Sequence, residues 1–184
     1  MTDLAERNKR AVPGQPDMWA FVLFETLVFT AYFGFYLFYR SRSPELFLHA
    51  QAQLDLRIGI FNTLVLLLSS WSVARCVQSS RAGAYRPALR DACLTACFGL
   101  VFLCSKVFEW ARLIRNGFSG YDFFTYYYFL TGIHFVHLLI GFVVLGIAIY
   151  QLRRSQELVE TCATYWHTVD YLWVLIFALL YVVR

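Results

Sequence analysis

Charged residues are what this sequence has least of. They make up 15% of its 184 residues, against roughly 25% in a soluble domain, while hydrophobic residues make up 59%. The formal net charge is +4, but the basic residues form no block and are not interleaved with aromatic ones. The composition therefore excludes an ordinary soluble domain, gives no indication of nucleic-acid binding, and predicts a polytopic membrane protein.

The motifs of common enzyme and transporter classes are missing as well. The sequence contains no GxSxG, HExxH, P-loop or GxGxxG pattern, so hydrolase and nucleotide chemistry lack the residues that would carry them. It shows neither an internal repeat nor a pair of helices broken by glycine or proline, which disfavours a transporter. We therefore expect no catalytic site in this chain.

The five cysteines form no CxxC pair, so neither zinc nor an iron-sulfur cluster is indicated. Cys93, Cys97 and Cys104 fall on one stripe of a predicted span, Cys76 lies at the end of another, and Cys162 lies in a loop. We expect free thiols that are buried as small apolar side chains.

Five apolar segments are each long enough to cross a bilayer, which takes about 20 residues. They predict an all-α membrane protein with spans at approximately residues 18–39, 58–77, 92–114, 123–150 and 165–183. Residues 1–17 are polar and lack the apolar region of a signal peptide, so we expect a short retained tail before a single transmembrane domain, residues 18–184. The amphipathic piece Leu46–Leu54 and the aromatic cluster Tyr126–Tyr128 are expected at the membrane interface.

An odd number of spans places the two termini on opposite sides of the membrane. Lys and Arg number nine on the N-terminal side and six on the other, and Lys106 lies inside a span. Because cytoplasmic loops carry the excess of positive charge, we predict a cytoplasmic N-terminus.

Several polar side chains fall inside the predicted spans, where protein rather than water must satisfy them. They are Glu25, Asn62, Lys106, Glu109, His134, His137, His167 and Asp170. Lys106 and Glu109, three residues apart, can neutralise each other inside the membrane or can simply anchor a helix end, and we give these two interpretations equal weight.

The histidines raise the question of haem. His134 and His137 lie on one helix face, and two axial ligands approach one iron from opposite sides, so this pair cannot serve a single haem. A membrane b-type cytochrome that works alone is therefore a disfavoured alternative. Glu25, His137, His167 and Asp170 fall in one half of the membrane and could conduct protons or hold lipid headgroups. We favour a structural role, with His167 and Asp170 as a hydrogen-bonded pair.

Two signatures resemble those of subunit III of the haem-copper oxidase family. They are Thr131-Gly132-Ile133-His134 with His137 and Gly141, and Tyr165-Trp166-His167-Thr168-Val169-Asp170. Glu25, Asn62 and Glu109 fall where that family carries a buried acid, an Asn-Thr helix start and a second acid. Five spans match its shorter bacterial members. Lys106-Val107-Phe108-Glu109 and the last residues of the chain look most like NorE-type proteins, which accompany cytochrome c-dependent nitric oxide reductases in denitrification.

The resemblance implies an accessory subunit of a respiratory terminal reductase in a bacterial inner membrane, with a periplasmic C-terminus. It implies no haem or metal of the chain's own, bound phospholipid in a cleft between helix bundles, and haem with iron or copper in the catalytic partner. The main expectation is support of the assembly, stability or activity of nitric oxide reductase. The alternative is subunit III of an oxygen reductase, a cytochrome c or quinol oxidase, that supports proton uptake.

Overall fold

The computed structural model describes residues 16–118 and 122–183. These residues form six α-helices, which are α1 (Pro16–Arg42), α2 (Pro44–Gln51), α3 (Leu56–Arg81), α4 (Tyr85–Arg115), α5 (Asp122–Tyr150) and α6 (Gln156–Phe177). A π-helical segment, Ala178–Val182, continues α6. The predicted N-terminal tail lies mostly outside the described residues.

Five helices, all except α2, are long and apolar enough to cross a membrane, which confirms the predicted number of spans. Two of them begin well before the apolar stretch that predicted them, α4 at Tyr85 and α6 at Gln156. A helix can extend beyond the apolar stretch into water as long as its backbone hydrogen bonds form and its ends are capped. At the start of α6 the Ser155 hydroxyl accepts a hydrogen bond from the Leu158 amide.

Helix α6 is the centre of the bundle. It packs against α1, α3 and α5, and it is the most buried of the five spans, whereas α1 is the least buried. Two fully buried indoles tie α6 to α3: Trp166 Nε1 donates to the Ser69 hydroxyl over 3.0 Å, and Trp173 Nε1 donates to the Thr63 hydroxyl over 3.1 Å. Hydrogen bonds of this kind join helices where apolar contacts alone give little preference over lipid.

Small residues let α4 approach its neighbours closely. A Cβ at Gly99 would lie 2.8 Å from the ring of Phe142 on α5 and 3.2 Å from Trp166 on α6. Ser69 of α3 donates its hydroxyl to the Thr95 carbonyl of α4 over 3.1 Å. The contacts fix which side of α4 faces the bundle interior.

The expectation that the cysteines are buried is wrong for three of the five. Cys76 and Cys162 are buried, but Cys93, Cys97 and Cys104 are exposed on the outward face of α4. Their spacing does put them on one stripe, yet spacing alone does not say which way a stripe faces. The close contacts at Gly99 on the opposite side of α4 decide it.

The amphipathic piece predicted at the interface is largely the short helix α2. Its residues Phe47, Ala50 and Gln51 are buried, and the Phe47 ring packs edge-on against Tyr36 of α1 and Phe123 of α5. The Gln51 amide and the Arg40 guanidinium both donate to the Val183 carbonyl, over 2.9 and 2.7 Å. Helix α2 therefore closes one end of the bundle.

Candidate functional site

A buried ion pair lies near the end of the bundle where α4 ends and α5 begins. Lys106 Nζ donates to Glu109 Oε2 over 2.7 Å, and the two side chains are 1% and 3% exposed. The exposure favours one of the two interpretations of this pair: neither charge reaches the surface of the bundle, as an anchoring side chain would. The charges neutralise each other inside the bundle.

Two tyrosines complete this cluster. Lys106 also donates to the hydroxyls of Tyr127 and Tyr181, over 3.1 and 2.9 Å, so all three of its protons are used. Tyr181 in turn donates to Glu109 Oε1 over 2.7 Å. The ring of Trp173 lies beneath the ammonium, 4.7 Å from its centroid. Each charge thus receives the extra partners that a buried ion pair needs.

Sequence analysis missed both tyrosines. Tyr127 belongs to the cluster expected at the membrane interface, yet it is fully buried. The order of the spans could have indicated this cluster. Lys106 lies late in α4, Tyr127 early in α5 and Tyr181 after α6, so all three lie toward the same end of the bundle. Antiparallel helices bring such positions to the same depth.

A second pair joins α1 to α5. His137 Nε2 lies 3.3 Å from Glu25 Oε1, and both side chains are largely buried. His137 Nδ1 lies 2.9 Å from the Ile133 carbonyl, which can only accept, so Nδ1 carries a proton. The other ring nitrogen, Nε2, therefore faces the Glu25 carboxyl.

His167 and Asp170 do not form the expected hydrogen-bonded pair. His167 Nδ1 instead contacts the Ser70 hydroxyl of α3 over 2.6 Å, and both Asp170 oxygens lack a hydrogen-bond partner within the described residues. Residues three apart on a helix differ by about 60° around its axis, so neighbouring helices can bury one of them and leave the other exposed. Asp170 points into the bundle, whereas His167 lies on its exposed side. Of the predicted four-residue cluster, Glu25 and His137 form one contact, His167 contacts Ser70, and Asp170 belongs to neither contact.

Two more of the polar residues predicted inside the spans lie deep in the bundle. Asn62 and His134 are 0% and 1% exposed, and none of their side-chain polar atoms finds a partner among the described residues. The His134 ring packs against Phe102 and Trp173, with centroids 5.6 and 5.3 Å away. Buried polar atoms without a protein partner are the places where internal water binds.

The contacts of the histidines give no support to the cytochrome alternative. Both nitrogens of His137 are already engaged, and His167 Nδ1 is held by Ser70. Within residues 16–118 and 122–183, no group of three or more His, Cys, Asp or Glu side chains is arranged to hold a metal ion. The contacts of His137 and His167 join α1 to α5 and α3 to α6.

One buried acid was not singled out from the sequence. Asp91 is 1% exposed, and it pairs with Arg75 of α3 over 3.5 Å and with the neighbouring Arg90 over 3.3 Å. It lies one residue before the apolar stretch that predicted α4, so a search inside the spans passed over it. The Arg75 contact is a further polar link between α3 and α4.

Comparison with known proteins places these residues in a wider group. The family model described as cytochrome c oxidase subunit III matches residues 15–183. A cytochrome c oxidase subunit 3 from Synechocystis is 29% identical over 180 residues, which cover 91% of this chain and 77% of that protein. The corresponding protein of Thermostichus vulcanus is also 29% identical, with 88% and 83% covered. A heme-copper oxidase subunit I+III of Aeropyrum pernix is 29% identical over 90% of this chain and 22% of its own length.

Proposed function

Because the chain belongs to the cytochrome c oxidase subunit III family, we propose that it is a non-catalytic subunit of a haem-copper oxidase. The observation that carries the proposal is the extent of the family match. It runs through all five spans and both signatures, and is not confined to one motif. Some polar residues of the signatures, His137, Tyr165 and Trp166, are used inside the chain, where they join its helices. A supporting role beside a catalytic subunit fits this use.

The partner in this proposal is the catalytic subunit of the oxidase, with its haem and copper. The Aeropyrum pernix relative supports the pairing, because its name describes subunits I and III as one protein. The relatives described above are named as oxidase subunits, which favours an oxygen reductase over the nitric oxide reductase suggested by the NorE-like residues. A NorE-type role remains the second candidate, supported by the resemblance of Lys106-Val107-Phe108-Glu109, of residues 122–130 and of the last residues of the chain.

The proposal includes an orientation and a lipid. The N-terminus lies in the cytoplasm and the C-terminus in the periplasm of a bacterial inner membrane, as the distribution of Lys and Arg favours. Phospholipid bound to the subunit helps to hold it against its partner. The eight polar residues predicted inside the spans act structurally or in proton supply, and they bind neither haem nor metal.

The test is an affinity purification of the tagged chain from its native membrane in mild detergent. A reduced-minus-oxidised spectrum and a copper assay then identify what is isolated with it, and a membrane that carries only the tag serves as the control. Haem together with copper supports the oxidase subunit. Haem b and c without copper would indicate that the partner is nitric oxide reductase and not an oxidase. A colourless protein would contradict a stable association with a catalytic subunit and would favour a role as an assembly factor.

A further inference from the structure

A polar pocket of about 470 Å³ lies at the end of the bundle where the α3–α4 and α5–α6 turns meet. Its polar lining includes Ser80 and Tyr85 from the first turn region, and Arg153, Arg154, Ser155 and Gln156 from the second. None of the signature residues lies in it. The proposed function therefore does not account for this pocket.

The charged side chains that line the pocket are positive. Its lining contains two arginines and no carboxylate. Neither Arg153 nor Arg154 forms an ion pair with a described residue. The acid Glu160 is already engaged elsewhere, since its Oε1 accepts from Arg81 over 2.9 Å and from Gln156 over 3.2 Å. Two guanidinium groups are thus available to an anion.

One of these arginines is held in place. The Arg153 guanidinium lies over the ring of Tyr85, with its carbon 4.0 Å from the centroid. Stacking on an aromatic ring leaves the edge of a guanidinium free, and that edge donates the paired hydrogen bonds that match phosphate oxygens. The site is therefore partly organised before any ligand arrives.

The start of α4 adds to the attraction for an anion. Its N-cap residue Ala84 offers no side-chain acceptor, and the first turn contains no acidic residue. The first amides of a helix need an acceptor, and the positive end of the helix dipole favours a negative one. Because Gly83 and Tyr85 on either side of Ala84 line the pocket, an anion bound there meets this end.

We infer that this pocket binds a phosphate group, which belongs either to the headgroup of an anionic phospholipid or to free phosphate. Arg153 and Arg154 hold its oxygens, with Ser80 and the start of α4 beside them. The pocket lies at an end of the bundle, where the chain turns from one candidate membrane span to the next, and a bilayer around these spans would bring lipid headgroups within reach. The inference rests on this pocket alone and holds whichever reductase is the partner.

The test uses the full-length chain, purified and stripped of lipid in mild detergent. Native mass spectrometry measures binding of phosphatidylglycerol, and diacylglycerol, which has no phosphate, is the control ligand. We expect the Arg153→Gln/Arg154→Gln variant to bind phosphatidylglycerol at least about tenfold more weakly than the unchanged chain. Arg86→Gln removes one positive charge from an exposed arginine near this end of the bundle and outside the pocket lining, so it matches the single variant Arg154→Gln, and it should bind normally.

Inorganic phosphate distinguishes the two sources. Displacement of phosphatidylglycerol by millimolar phosphate, with a rise in the melting temperature of the unchanged chain only, identifies a phosphate-ion site. Tight lipid binding that phosphate does not disturb identifies a headgroup site. Equal binding by the unchanged chain and the double variant, an equal loss in Arg86→Gln, or equal binding of diacylglycerol would overturn the inference. If the double variant does not fold, Arg154→Gln alone provides the same comparison.

Discussion

At the scale of single residues, Lys106 shows how this bundle tolerates a buried charge. An ammonium and a carboxylate taken out of water cost several kcal/mol each, and their attraction repays this only when further hydrogen bonds are made. Lys106 has three hydrogen-bond partners and the Trp173 ring, and Glu109 has two donors. The cluster is consequently more sensitive to losing one charge than to losing both.

We expect Lys106→Met to destabilise the protein by about 3–5 kcal/mol, because it leaves the Glu109 carboxylate buried without a cation. The variant Lys106→Met/Glu109→Leu removes both charges and should recover most of this loss. Unfolding by titration with SDS measures both, with the exposed Arg115→Gln as the control. A double variant that is as unstable as Lys106→Met would contradict this account.

Tyr181 offers a finer test of the same cluster. Its hydroxyl accepts from Lys106 and donates to Glu109, and hydrogen bonds to charged groups are worth about 1.5–3 kcal/mol. We expect Tyr181→Phe to lower the free energy of unfolding by an amount in that range. Tyr171→Phe, at an exposed position of α6, is the matched control and should change little.

At the scale of helices, close approach of α4 to α5 and α6 depends on the absence of a side chain. Gly99 faces Phe142 and Trp166 at distances that no Cβ could keep without a shift of the rings. Gly146 of α5 has nothing within 4 Å of its would-be Cβ. These two glycines therefore separate the effect of packing from the general effect of replacing glycine in a helix.

We expect Gly99→Val to cost about 1–3 kcal/mol through overpacking, whereas Gly146→Val should be close to neutral. Thermal unfolding followed by near-ultraviolet circular dichroism checks this, since the signal includes that of Trp166 at the contact. Equal effects of the two substitutions would show that helix propensity and not contact determines the result.

The number of spans could be predicted from the sequence, but the contacts between spans could not. The number of spans follows from apolar length, a property that each segment has by itself. Contacts between segments do not follow in this way: the burial of Tyr127 was not predicted, the Cys93 stripe was assigned to the interior, and Asp170 was assigned to His167. Each difference concerns the direction a side chain faces, which neighbouring helices decide. The Lys106 and Glu109 pair was one of two interpretations of equal weight, and the same spacing on one helix did not join His167 to Asp170.

At the scale of the whole molecule, the position of α1 is the most open to change. It is the least buried span; the Glu25 contact with His137 and a few aromatic edges attach it to α5, and the stacked rings of Phe21 and Tyr165 attach it to α6. The proposed supporting role can be tested by substituting Glu25, whose carboxyl contacts His137.

We expect Glu25→Gln to insert and assemble normally, because its amide can still donate to His137 Nε2. It cannot exchange a proton, so sustained turnover of the isolated complex should decline over many cycles if Glu25 takes part in proton supply. Glu25→Leu removes the contact altogether and should weaken assembly as well. Unchanged turnover in Glu25→Gln would assign this pair to structure alone.

The outward stripe of thiols on α4 has a practical consequence. Cys93, Cys97 and Cys104 spread over about 16 Å of helix, while Cys76 and Cys162 are buried and should react slowly. The sequence thus provides three labelling positions spaced along α4, and no cysteine has to be introduced. A maleimide that reacts with isolated protein at all three thiols and with assembled protein at fewer would map, residue by residue, how far along α4 a neighbouring subunit extends.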